Sequence, residues 1–332
     1  MRRIISLCMA AVVVVALVLA SGCTGTGGDT QQVTTLRIGY QPSTHQIAEM
    51  TAMEKGWWQE DLASYGVTTV TDTEFPTGAP EMQAMIADQI DIAYVGAAPA
   101  IVAMANSGLD AKIVAAVQTQ GSNLVLQPEI AYAGPADLKG LKIATFPPGT
   151  IQDTLLKNWL LENNLTPDVD VTIVAMGPGD AMTAIAADQV DGVFLPHPAP
   201  AIIESNNNGR SVVASGEMQP NHACCVLLVS GKLIREQPDL VTEIVKTHVR
   251  ATDYSLANKD EAATTYAAKT GQDVAIVKKS FAEWDGTWVY DPNLITDSVV
   301  SYTQIQYDLG YVNKPLTKDE IFDLSFYEKA TA

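Results

Sequence analysis

The sequence predicts an α/β protein built as two similar lobes, each a mostly parallel sheet flanked by helices. Strand-like runs alternate with helical ones along the chain, the pattern that gives βαβ units. A strand–turn–helix unit occurs twice, with Met82 and Met182 at corresponding places in the two copies. The chain has 332 residues, enough for two domains of ordinary size.

Met1-Arg2-Arg3 gives a positive start, Ile4 to Leu19 is an apolar run, and Ala20-Ser21-Gly22 leads into Cys23. That order reads as a secretory signal peptide, so residues 1–22 are set apart from the fold. The small residues before Cys23 resemble the lipobox of bacterial and archaeal lipoproteins, which implies that Cys23 carries a lipid. Thr24 to Gln32 is rich in Gly, Thr and Gln without apolar periodicity, so residues 23–35 read as a flexible tether.

Leu36 to Tyr40 alternates as a strand, Gln41-Pro42-Ser43 is a turn, and a helix begins near Thr44 with Ile47, Met50, Met53 and Trp57 at helical spacing. In the second copy Leu141 to Ala144 is the strand, Pro147-Pro148-Gly149 the turn, and Thr150 the N-cap of a helix from Ile151 to Asn163. Met82 to Asp91 aligns without gaps on Met182 to Asp191, each an amphipathic helix running through Asp-Gln into an apolar strand, Ile90 to Val95 and Val190 to Leu195. One repetition implies two lobes rather than a solenoid.

The Pro/Gly-bearing stretch from Gln127 to Lys139 is the expected first crossover, and the second is expected after the strand Cys225 to Val229. Residues 36–127 and 230–332 would then form one lobe and 128–229 the other. Helices are expected from Pro238 onward, over Val274 to Trp284, and over Asn293 to Leu309 with Gly310 as the stop.

Removing the signal and Cys23 leaves Cys224 and Cys225. Adjacent cysteines make a strained disulfide, so the exported domain must stand on its own core. Both begin an apolar strand and read as small buried hydrophobes. The formal net charge is −18, which favours solubility and disfavours nucleic acid and anionic lipid as partners.

Ligands of open parallel sheets sit beyond the carboxyl ends of the strands. That rule selects Tyr40, Gln41, Ser43, Thr44 and His45; Gly96 and Ala97; Gln118; Gly149, Thr150 and Gln152; and Phe194, His197 and His222. Ser43-Thr44-His45 and Gly149-Thr150 place a strand end before a helix N-terminus, where free N–H groups and the dipole favour anions. Tyr40, Tyr94, Phe146 and Phe194 could supply an aromatic wall. No Lys or Arg lies in these loops, so a monoanion or a polar neutral molecule is the easier guest. Three of four histidines fall in the loops, where they could titrate near neutrality against an anion (His197 above all), hold a metal or take no direct part, while His248 reads as a surface residue of a helix. No His-x₃-His or Cys-x₂-Cys spacing is present, so neither metal nor other cofactor is expected.

Ile38-Gly39-Tyr40, Glu54 to Trp58, Gln89 to Ala93, Ala136 to Lys142 and Asp291-Pro292 together resemble the nitrate/sulfonate/taurine-type solute-binding proteins of ABC importers. These include binders of thiamine-pyrimidine precursors. The resemblance implies a type II periplasmic-binding-protein fold: two Rossmann-like lobes, a hinge and a ligand cleft between them. It implies a non-enzymatic, monomeric, lipid-anchored receptor on the extracytoplasmic face of the membrane. Such a receptor hands a small solute, here a sulfonate-like organic monoanion, to an ABC permease and its ATPase. A thiamine-pyrimidine-type precursor is the alternative ligand, and an enzyme of pyrimidine synthesis on the same fold a further alternative. Where relatives often carry a Glu-Pro turn, this chain has Leu195-Pro196-His197-Pro198, an imidazole for a carboxylate.

Overall fold

The computed structural model describes residues 33–332; the expected signal peptide, Cys23 and most of the tether lie outside the described residues. The strands are β1 (Thr35–Tyr40), β2 (Thr69–Glu74), β3 (Ile92–Gly96), β4 (Ala111–Thr119), β5 (Ser122–Leu126), β6 (Lys142–Thr145), β7 (Thr172–Ala175), β8 (Gly192–Pro196), β9 (Arg210–Ala214), β10 (Ala223–Ser230) and β11 (Thr287–Trp288). They form a six-stranded sheet, β2-β1-β3-β10-β4-β11, and a five-stranded sheet, β7-β6-β8-β5-β9.

Apart from the short edge strand β11, the two sheets share one order. In each, three parallel strands are followed by a strand that the chain enters from the other sheet. That inserted strand, β10 or β5, runs antiparallel to its neighbours. Its direction follows from where the chain crosses: the crossovers lie at the carboxyl ends of the parallel strands, so a crossing chain enters its new sheet from that end. Both β3 and β8 are buried at every residue, as parallel strands covered on two faces must be.

The internal repeat holds at the level of single hydrogen bonds. Asp88 and Asp188 both take left-handed backbone angles, φ 54° and 55°, a conformation that Asp tolerates better than most residues. In each copy the next residue turns back to the helix, Gln89 N–H to Ala84 O and Gln189 N–H to Ala184 O, both 2.9 Å. The carboxylates of Asp91 and Asp191 then accept the backbone N–H of Arg37 (2.8 Å) and Lys142 (2.7 Å) on the neighbouring strand.

The crossovers lie elsewhere than the sequence suggests. Strand β5 belongs to the second sheet and β10 to the first, so the exchanges fall at Gln120-Gly121 and at Asn221, not at 127–139 and after 229. Gln120, Gly121 and Asn221 all have positive φ. The two crossovers touch: Gln120 N–H donates to His222 O (3.1 Å) and Asn221 N–H to Gln120 Oε1 (2.6 Å). A Cβ on Gly121 would come within 2.6 Å of Gln118 Nε2 and 2.9 Å of His45 Nε2, so this position needs Gly for space as well as for φ. Composition alone does not reveal these exchanges, because β5 and β10 are apolar strands like their neighbours. Among the described residues, no helix is long and apolar enough to cross a membrane.

Candidate functional site

Loops from both sheets meet over two adjoining cavities. The outer one, about 300 Å³, is lined by Gln41, Ser43, Phe146, His197, Tyr266 and Lys269 together with Glu74, Pro76, Met182 and Ile202. The inner one is about 20 Å³ and is lined by Gln41, Ser43, His45, Gly96, Thr150, Gln152, Cys224 and Cys225. Gln41, Ser43, Phe146 and Pro196 line both, so the inner cavity is the floor of the outer one.

Local structure holds these groups in place. Gln41 donates through Nε2 to Glu81 Oε2 (2.8 Å), and its backbone N–H donates to Gln46 Oε1 (2.6 Å). Thr150 caps the Ile151–Glu162 helix as expected, its hydroxyl accepting from Asp153 N–H and donating to Pro147 O. Gln152 Nε2 donates to Ser122 Oγ (3.2 Å). Across the cleft, Thr44 N–H donates to His197 O (3.2 Å), and Gln306 Nε2 donates to both Ala98 O and Gly149 O (3.2 Å each). The described conformation therefore has its opposing loops in contact.

Of the residues singled out from the sequence, Gln41, Ser43, His45, Gly96, Thr150, Gln152 and His197 line a cavity. Tyr40, Thr44, Ala97, Gln118, Gly149, Phe194 and His222 line neither. Phe194 and Tyr94 are fully buried in the core, so of the expected aromatic wall only Phe146 reaches the cleft, joined by Tyr266. Tyr40 instead stacks under the Lys269 ammonium at 4.7 Å. His222 is buried against Tyr302 and Ala223 O. His248 is not at the surface: it is fully buried, with Nε2 2.7 Å from Ala116 O and Nδ1 3.0 Å from Tyr94 Oη.

The electrostatics differ from the sequence expectation in two respects. The cleft has a cation after all, Lys269 from the end of the Lys259–Thr270 helix, paired with Asp72 and facing the outer cavity beside Glu74. The rule of strand ends could not find it, since it arrives on a helix from the other end of the chain. The same rule, applied to the ends of β2 and β7, would have found Glu74 and Pro76, just before the Gly78–Ile86 helix, and Pro178 and Gly179, the first residues of the Pro178–Ala186 helix, all of which line the cavity. The second respect is His197. Burial, reinforced by neighbouring His45, pushes it down to about 3. Its ring sits between Ser280 Oγ (3.0 Å) and Asn123 Oδ1 (3.3 Å), so it is a neutral hydrogen-bonding group and not an imidazolium for an anion.

Two carboxyls are held protonated by burial. Glu49 rises to about 8, with Lys269 opposing the shift, and Glu81 rises well above the usual carboxylate range, with Gln41 opposing it. By sequence Cys224 and Cys225 are small packing residues at the start of an apolar strand. The structure brings both sulphurs beside His45 Nδ1, at 3.4 and 3.9 Å. The thiol of Cys225 is drawn down by its contact with Cys224, while that of Cys224 is pushed up.

Two sheets of common strand order, crossed twice by the chain and enclosing a cleft at their strand ends, make this a periplasmic-binding-protein fold. The chain belongs to the NMT1-like family, whose model matches residues 29–270. It is 27% identical over 325 residues to a putative aliphatic sulfonates-binding protein of Bacillus subtilis, covering 96% of this chain and 95% of that one. Its fold matches the alkanesulfonate-binding protein SsuA of Xanthomonas axonopodis bound to MOPS, with TM-score 0.77, 22% identity, and coverage of 88% and 99% of the two chains. It also matches the zinc-bound ligand-binding component of an ABC-type import system from Staphylococcus aureus, with TM-score 0.76, 17% identity, and coverage of 90% and 99%.

Proposed function

We propose that this chain is the extracytoplasmic receptor of an ABC importer, lipid-anchored at Cys23, which captures a small sulfonate-like organic monoanion. It acts as a monomer and without catalysis, passing its solute to a permease driven by an ATPase. The observation that carries this reading is the outer cavity, enclosed by loops of both sheets and of a size suited to a small molecule. Its wall sets Lys269 and the N-terminus of the Pro178–Ala186 helix against the apolar surfaces of Phe146, Met182 and Ile202. A monoanion with a short apolar body matches that division, because the helix terminus and the ammonium both favour negative charge. The likeness to a putative aliphatic sulfonates-binding protein over nearly the whole chain supports the same ligand class.

The two sheets act as lobes, 33–120 with 222–332 and 121–221, that close about the paired crossovers at Gln120-Gly121 and Asn221. Closure is a shift of population toward the state that the solute binds better. Thermal-shift and calorimetric titration with MOPS, short alkanesulfonates, nitrate, bicarbonate and thiamine-type pyrimidines tests the ligand class. A sulfonate at a hundred times its Kd should add about 2.7 kcal/mol, or roughly 5 °C in Tm. Stabilisation by a neutral pyrimidine with no response to any sulfonate would overturn the assignment. For the anchor, Cys23→Ser should release the protein from the membrane fraction, and a native intact mass without a lipid adduct would refute it.

A further inference from the structure

Adjacent residues of a regular strand point to opposite faces, so Cys224 and Cys225 should diverge. They converge because β10 is irregular there. Against β4, Ala223 pairs with Thr119 and Cys225 with Gln118, leaving two residues of β10 to advance for one of β4. This is the signature of a bulge, a device that re-aims a side chain. The two sulphurs end 3.8 Å apart, and His45 Nδ1 lies 3.4 Å from Cys224 Sγ and 3.9 Å from Cys225 Sγ. All three residues are buried, at 1%, 2% and 4% exposure.

The imidazole is also oriented. His45 Nε2 lies 2.8 Å from Gly121 O, a carbonyl that can only accept, so Nε2 carries the hydrogen and Nδ1 turns its lone pair toward the sulphurs. The hydrogen bond from the second ring nitrogen to a backbone carbonyl is the support that metal-ligating histidines ordinarily have. The carbonyl that provides it belongs to Gly121, the crossover residue that has no room for a side chain.

We propose that His45, Cys224 and Cys225 form a tetrahedral site for a borderline-soft divalent cation of the zinc class, with its fourth corner opening into the inner cavity. Metal–sulphur bonds of about 2.3 Å and a metal–nitrogen bond of about 2.0–2.1 Å at tetrahedral angles require a sulphur–sulphur edge of about 3.8 Å and nitrogen–sulphur edges of about 3.5 Å. The observed sulphur–sulphur edge of 3.8 Å and the Cys224–His45 edge of 3.4 Å fit that triangle, and the Cys225–His45 edge of 3.9 Å has to shorten by roughly 0.4 Å on binding. Two thiolates with one imidazole select zinc-like ions over magnesium or calcium, which take oxygen ligands. Three protein ligands leave one position for water or for a donor atom of a captured solute. Gln41, Ser43, Thr150 and Gln152 line that side. The site adds to the solute-binding reading and does not depend on which solute is bound.

The test uses the full chain in detergent, stripped with chelator and kept reduced under nitrogen. Titration with Co²⁺ should saturate at one equivalent. It should give a thiolate-to-cobalt charge-transfer band in the near ultraviolet with the intense red d–d bands of tetrahedral cobalt, and Zn²⁺ should displace it. Losing a supporting group behind a metal ligand typically costs 10–100-fold in affinity, so Cys224→Ser, Cys225→Ser and His45→Ala should each cost roughly 100-fold or more. The wild-type spectrum decides the matter even if a variant fails to fold, because the charge-transfer band itself reports sulphur ligation. Weak, octahedral-type cobalt spectra, no uptake, or uptake unchanged in both serine variants would overturn the site. A chain that takes sulfonate but no cobalt refutes this inference alone, and one that takes cobalt but no sulfonate refutes the solute reading alone.

Discussion

The backbone N–H of Thr44 donates to the carbonyl of His197 across 3.2 Å, tying the first loop of one sheet to the loop after β8 of the other. Both residues are almost fully buried, so this bond lies inside the joint between the sheets. Gln306 makes a second tie, from one amide to Ala98 O on one side and Gly149 O on the other. If the lobes close as proposed, these contacts tip the balance between open and closed forms toward the closed one.

Gln306→Ala should shift that balance toward the open form. Neutral hydrogen bonds of this kind contribute roughly 1 kcal/mol each, so the open population should rise several-fold. Small-angle scattering of the unliganded variant is expected to give a larger radius of gyration than wild type. An unchanged radius would mean that Gln306 does not restrain the cleft.

Lys269→Ala removes the cation of the outer cavity together with its pairing to Asp72. A charge-assisted contact is worth about 1.5–3 kcal/mol, so affinity for an alkanesulfonate should fall roughly tenfold or more. Lys269→Arg should recover part of it. Calorimetry would show the opposite of this expectation if the alanine variant bound sulfonate as tightly as wild type.

Solute affinity should show no step near the ordinary histidine value on account of His197. Burial holds this ring neutral down to about 3, so between pH 5 and 8 its charge does not change. A tenfold loss of affinity through that range that disappears in His197→Ala would contradict the geometry described.

Glu49 should make stability fall on the alkaline side. Its folded value of about 8 exceeds the ordinary carboxyl value, so the folded chain holds a proton that the unfolded chain has lost. The resulting stabilisation is full in acid and disappears as pH rises through about 8. On this account wild-type Tm should drop between about pH 5 and 8 and level off above that. Glu49→Gln should drop less, with Glu81 still contributing its own share. Parallel Tm curves for the two proteins would count against this.

Thr150→Ala should cost about 1 kcal/mol through loss of the helix cap, or roughly 2 °C in Tm, and Thr150→Ser should restore most of it. Differential scanning calorimetry distinguishes this from a role confined to the cavity, in which Tm of the unliganded protein would not move.

Local chemistry made much of this molecule legible in its sequence. Binary patterning and capping residues are short-range properties, so strands β1, β3, β6, β8 and β10, the Thr150 cap and the matched passages from helix to strand at Asp88-Gln89 and Asp188-Gln189 could be read directly. The resemblance carried by Ile38-Gly39-Tyr40 and Ala136 to Lys142 agrees with the family and the fold. The tertiary structure alone decided what depends on chain crossing and burial. Strands β5 and β10 look like any apolar strand, and only their pairing shows that they exchange sheets at Gln120-Gly121 and Asn221. Lys269 reaches the cleft across nearly two hundred residues from the Asp72 it pairs with. His248, polar by type, is enclosed because Tyr94 and Ala116 O satisfy both its nitrogens. Cys224 and Cys225 face His45 because a bulge in β10 against β4 overrides the alternation of a strand, and that pairing joins segments about a hundred residues apart in the chain.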